Sequence, residues 1–147
     1  MSGDRPSNHD LLASLLARLD ARAAGWWRIG DGVLVQVAFA ASEELAEEVA
    51  QSFAAATLSV SLDETGLGIV HAALSGEPAV SRADDLPSDT GSGLWLRRFG
   101  AVRSVAVPVL DGSGRVVRVV SVALAEGPPD DVAVAGWIQE TAEEWTE

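Results

Sequence analysis

Leucines at 11, 12, 15, 16 and 19 follow the i, i+3, i+4, i+7 spacing of a single helical stripe, with Asp10, Arg18, Asp20 and Arg22 mostly off it. The stripe predicts a helix from about residue 9, capped by Ser7 or Asn8 and closing near Gly25. Two β-rich runs follow, 26–29 and 33–40, split by Gly30-Asp31-Gly32, and Asp-Gly between apolar runs signals a hairpin. In the second run Val33, Val35, Val37 and Phe39 share one face, and Leu34, Gln36 and Ala38 the other. A helix capped by Ser42 is expected next, with Leu45, Val49 and Phe53 four apart on its packing face. Over residues 57–62, Leu58, Val60 and Leu62 alternate with Ser59 and Ser61, the pattern of a half-exposed strand.

Residues 67–75 read as a short helix ended by Gly76, because Pro78 disfavours helical geometry at Glu77. A minimal strand, 79–81, leads into an irregular segment, 82–100, with a short helix expected from about Ser92 to Gly100. The last hairpin is the clearest pattern: 103–110 and 115–125 are apolar on both faces, joined by Asp111-Gly112-Ser113-Gly114. Both faces therefore require cover, one from helices and the other from the irregular segment, which can enclose a pocket. After Gly127-Pro128-Pro129, Asp130 and Asp131 suit a helix N-terminus, and Val134, Trp137, Ile138, Thr141 and Trp145 form its stripe. Strands joined mainly by hairpins, with helices at both ends, indicate an α+β fold. Residues 1–8 read as a flexible N-terminus and 9–147 as one domain.

Composition narrows the chemistry. The 147 residues carry a net charge of −12, and all ten cations are arginines. Such a chain repels phosphate backbones and anionic membrane surfaces, so neither nucleic acid nor a membrane is expected as partner. Without lysine there is no Schiff base, and without cysteine no disulfide, thiolate nucleophile or thioether-linked cofactor. The N-terminus lacks the apolar run of a signal peptide and no stretch approaches a membrane span, so the expected location is the cytoplasm.

Four pieces, with the flanking helices spanning about residues 9–146, are similar to the segments of one known family. Gly66-Leu67-Gly68-Ile69-Val70 with Ser75-Gly76-Glu77-Pro78 is similar to the family's "G-x-x-G-x-V … TGEPV" segment. Ala83-Asp84-Asp85-Leu86-Pro87 stands where members have a short "D(I/L)" stretch, and Phe99 to Ser104 is similar to "lGirS". Val105 to Val109 with Gly114 to Val119 resembles "L(A/V)VPL … G.viGVL", with Arg118 where members usually have glycine. Together these pieces resemble a GAF domain, and the resemblance implies a PAS-related central antiparallel sheet of about six strands, with terminal helices on one face and an irregular lid on the other. It also implies a regulatory or sensory module of bacterial-type signal transduction, and not an enzyme. A covalent bilin is excluded for want of cysteine, as are the catalytic cysteines of the free methionine sulfoxide reductases built on this fold. The Asn-Lys-Phe-Asp-Glu pattern of phosphodiesterase GAF domains is missing too.

Several residues can carry chemistry, each beside a plainer reading. His71 is a haem ligand or hydrogen-bond donor, or a half-exposed helix residue; one histidine without partners specifies no metal site. Asp84, Asp85, Asp89 and Glu77 form a carboxylate cluster, or solvated acids capping the next helix; nothing fits a calcium loop. Trp95 and Phe99 share a helix face and either floor a pocket or fill it. Arg97, Arg98 and Arg103 bind a ligand carboxylate or phosphate, or pair with the nearby aspartates. The candidate pocket is His71, Leu86, Trp95, Phe99, Arg103 and Val107, with no metal or cofactor and an unidentified small ligand. The candidate dimer or partner helices carry Leu12, Leu16, Leu19, Trp137 and Trp145, and a homodimer or a signalling-protein partner is expected. The alternative is an interaction and dimerisation module whose pocket is plugged by Trp95, Phe99 and Leu86.

Overall fold

The computed structural model describes residues 8–64, 66–87, 89, 91–125 and 130–143. Helix α1 (Asn8–Leu19) ends where Asp20 takes a left-handed φ of 52°. Strand β1 (Ala21–Gly30) starts at once, so the helix does not run on to Gly25. Alanine-rich residues 21–24 favour a helix locally. Pairing β1 on both sides, with β2 (Val33–Ala41) and β6 (Val116–Leu124), outweighs that preference. The β1–β2 hairpin turns on Asp31 and Gly32, both at positive φ, as a two-residue loop of the mirror-image turn type requires.

The expected alternation along β2 fails at a β-bulge. Trp26 pairs with Ala38 but Trp27 with Gln36, leaving Val37 as the extra residue. Leu34 and Phe39 consequently pack on the same side of the sheet, while Val37 and Ala38 pack on the other. Ser42 caps no helix either. Its hydroxyl is buried without a hydrogen-bond partner, and a tight turn (Leu45 N–H to Ser42 O, 3.1 Å) drops Leu45 into the core first. Helix α2 (Glu47–Ala56) begins only after it. Strand β3 is just Ser59–Ser61, with Val60 buried and Leu58 left 57% exposed at the helix exit.

Helix α3 (Gly68–Ser75) closes on Gly76 in the left-handed conformation. Strand β4 (Ala79–Arg82), a single 3₁₀ turn (Ala83–Asp85) and helix α4 (Gly91–Phe99) follow. Strand β5 (Arg103–Leu110) forms the last hairpin with β6, and helix α5 (Asp131–Ala142) follows it. Asp130 caps α5, its carboxylate accepting from Ala133 N at 2.9 Å. The six strands form one antiparallel sheet in the order β3-β2-β1-β6-β5-β4.

The sheet is covered on both faces. Against one lie α1 and α5, where Leu12, Leu15, Val134 and Ile138 meet Trp26, Val105, Val107 and Val120. Against the other lie α2, α3 and α4, through Phe53, Ile69, Val70, Leu96 and Phe99. Leu12 and Leu19 are buried within this monomer core and cannot reach a partner; Leu16 and Trp137 are only partly buried. Arg18 lies 5.9 Å from the Trp137 ring centre. Trp145, the Gly127-Pro128-Pro129 break, Ser7 as a cap and the N-terminal stretch before Asn8 lie outside the described residues. No helix among the described residues is long and apolar enough to cross a membrane.

One close approach fixes the centre of the sheet. The Trp27 indole folds back over Gly25, and a Cβ there would lie 2.4 Å from the ring. The indole is fully buried and its N–H is bonded to Thr57 O at 2.8 Å, so it cannot swing aside cheaply. Gly25→Ala is expected to cost about 1–3 kcal/mol by overpacking. A lower urea midpoint with unchanged slope in equilibrium unfolding checks this.

Candidate functional site

Beneath α2 and α4 the sheet surface is built from small residues. Ala23 and Gly25 of β1 pair with Ala123 and Ser121 of β6, and Ser104 of β5 pairs with Ala123. Such a floor leaves depth that large side chains from the covering elements can enter. Phe53, Trp95 and Phe99 do so and meet Trp27 and Phe39 of the sheet itself, so that five aromatic rings gather there. Phe53 is their hub, its ring centre 5.1 Å from both Trp95 and Phe99, 5.4 Å from Phe39 and 6.3 Å from Trp27. Three of these contacts are near-perpendicular edge arrangements, which the ring quadrupoles favour. The space left between the rings and the floor is about 50 Å³. Small-molecule pockets usually run from ~300 to ~1,000 Å³.

The lid is held down by specific polar contacts. Ser92 Oγ, at the start of α4, accepts the buried Gly68 N–H of α3 at 3.0 Å. Arg97 donates to Ala83 O at 2.7 Å and Gly93 O at 3.2 Å, tying the 3₁₀ turn to α4. At Gly93 the chains touch: a Cβ would lie 2.0 Å from Pro87 O. On the inner side, Thr57 Oγ1 donates to Phe53 O (2.8 Å) and accepts from Gln36 Nε2 (3.1 Å), which anchors the end of α2 to β2.

The expected pocket set is split by the structure. Trp95 and Phe99 line the small aromatic cavity. His71 and Leu86 line a different space, an outer trough of about 600 Å³ beside β4 that also touches Glu77, Arg82, Asp85 and Asp131. His71 is exposed there. Arg103 and Val107, expected in the pocket, line neither space. Both point to the opposite face, because their parity in β5 is that of Val105, which packs under α1 and α5. Arg103 is 1% exposed and pairs with Asp131 at the N-terminus of α5, which also pairs with Arg82.

Nor do the arginines pair with Asp84, Asp85 or Asp89. Arg97 binds main-chain carbonyls, and Arg98 lies 5.1 Å from the Trp95 ring centre. Among the described residues no three His, Cys, Asp or Glu side chains converge as a metal site. Phe53 was legible only as a packing residue of a helix; its role as hub depends on where α2 lands. Trp27 and the serine floor carried no signal beyond strand pattern.

No family model matches the chain, and no curated protein matches it. Solved structures do. The GAF domain/HD domain protein from Geobacter sulfurreducens superposes with a TM-score of 0.62 at 12% identity, covering 92% of this chain and 86% of that one. The GAF domain of a two-component sensor histidine kinase from Bacillus halodurans gives 0.63 at 8% identity, covering 92% and 88%. The free methionine-R-sulfoxide reductase from Neisseria meningitidis gives 0.60 at 19% identity, covering 90% and 70%. The chain has the GAF-domain fold.

The lid stitch is directly testable. Ser92→Ala leaves the buried Gly68 N–H unsatisfied, at an expected cost of about 1–3 kcal/mol. Denaturant unfolding measures the cost, and faster amide exchange at Gly68 locates it.

Proposed function

We propose that the chain is a regulatory GAF module that acts through a protein partner, its pocket filled by its own aromatic side chains. The observation that carries this reading is the cavity of about 50 Å³ under five interlocked rings. A metabolite-sized ligand needs several times that space. The partly buried Leu16 and Trp137 on α1 and α5 give a self-contact somewhere to form, so a homodimer through these helices belongs to the proposal. Catalysis is not part of it. The chain offers no thiol for the sulfur chemistry that the name of the Neisseria neighbour describes. The cytosol is the proposed setting.

A second reading, a non-covalent small-ligand sensor, draws support from Trp95. Its ring is only partly buried at the cavity wall, and outward rotation of this one side chain enlarges the space beneath it.

Native mass spectrometry of protein purified without denaturation separates the two. The expected spectrum shows 15.3 kDa chains, or whole multiples of that mass, without adduct. A stoichiometric small-molecule adduct, retained by the wild type and lost in Trp95→Ala, overturns the filled-pocket reading.

A further inference from the structure

We propose that the outer edge of β4 is a docking strand for an extended, basic segment of a partner protein, which joins the sheet beside Ala79–Arg82. This rests on the reading of the chain as a partner-binding module, and names the surface and the chemistry of the partner.

Strand β4 ends the sheet order and pairs with β5 alone. One row of its main-chain N–H and C=O groups therefore points away from the sheet, where an added strand can take them up. Many edge strands are covered by a helix or loop. Beside β4 lies instead the trough of about 600 Å³, lined also by His71 and Ser75 of α3 and by Asp85 and Leu86. That is room for a polypeptide backbone and its side chains, in contrast to the small aromatic cavity.

Charge selects the occupant. Three carboxylates, Glu77, Asp85 and Asp131, line the trough against one guanidinium, Arg82. Asp131 is already engaged by Arg82 and Arg103. Glu77 and Asp85 have no cationic partner among the described residues. Two charges held by a chain of net charge −12 attract a basic segment and disfavour a second copy of the same acidic chain. Val80, 40% exposed on the strand itself, adds an apolar contact. A partner strand that alternates apolar and basic residues fits both features, since successive side chains of a strand point to opposite faces.

Fluorescence anisotropy with the full chain tests this. The probe is a labelled peptide of alternating valine and arginine. Its controls are a valine–glutamate peptide and two versions of the basic peptide, each with one alternate set of backbone nitrogens methylated. The basic peptide is expected to bind saturably, to slow amide exchange within Ala79–Arg82, and to lose at least about tenfold in affinity when one of the two sets is methylated. The Glu77→Arg/Asp85→Arg double variant, with both changes at exposed positions, is expected to lose a similar factor. No binding, or binding indifferent to both methylation patterns, overturns the proposal; so does full affinity in the double variant. Failure here with adduct-free native spectra leaves the filled-pocket reading standing, whereas a retained ligand overturns that reading whatever the peptides do.

Discussion

The covering layer over one face of this sheet depends on Trp27 lying across Gly25. A strand residue with any side chain at position 25 would lift the indole off the sheet. With the ring down, its N–H reaches Thr57 O and holds the end of α2. That in turn sets Phe53 at the centre of the aromatic group, where Trp95 and Phe99 of α4 close on it. The order of dependence thus runs from one missing Cβ, through a buried hydrogen bond, to the seat of the lid. The serine and alanine floor belongs to the same arrangement, because small side chains leave the depth that the rings occupy.

Polar chemistry in this chain serves architecture more than reactivity. Arg97 donates to carbonyls of the 3₁₀ turn and of the first turn of α4, and Arg98 lies against an indole. Arg103 carries a charge into the apolar layer under α1 and α5, where the carboxylate of Asp131 meets it. Ser92 provides an acceptor that the first turn of α3 otherwise lacks. The acids left over collect on the surface. The solvent-facing chemistry is consequently acidic, while the interior beneath the lid is aromatic.

Local patterns in the sequence disclose most of this fold but not its sidedness. The β5–β6 hairpin was readable because valines fill both faces, and the β1–β2 turn because Asp31-Gly32 suits positive φ. The start of β1 was not, since residues 21–24 favour a helix alone and become a strand only between two neighbours. A single bulged residue, Val37, reversed the faces of half of β2, and no local signal announces it. The site suffered from the same gap. Trp95 and Phe99 could be paired by helical spacing. Parity groups Arg103 with Val105 and Val107 without saying which face of β5 the lid covers. Phe53 and Trp27 converge only once α2 is laid over the bulge.

The Arg103–Asp131 contact also limits how α5 can move. The helix is fastened at its first residue to the start of β5, one strand in from the sheet's edge, by a charge that the apolar layer tolerates only while matched. Sliding α5 along its axis by one turn, about 5.4 Å, would draw the carboxylate away and leave apolar residues against a guanidinium. Translation is therefore closed to it. Swinging the helix about the fastened end is resisted as well, because Ile138 and Ala142 are buried further along it. In mechanical terms α5 is a strut, pinned at one end and seated along its length.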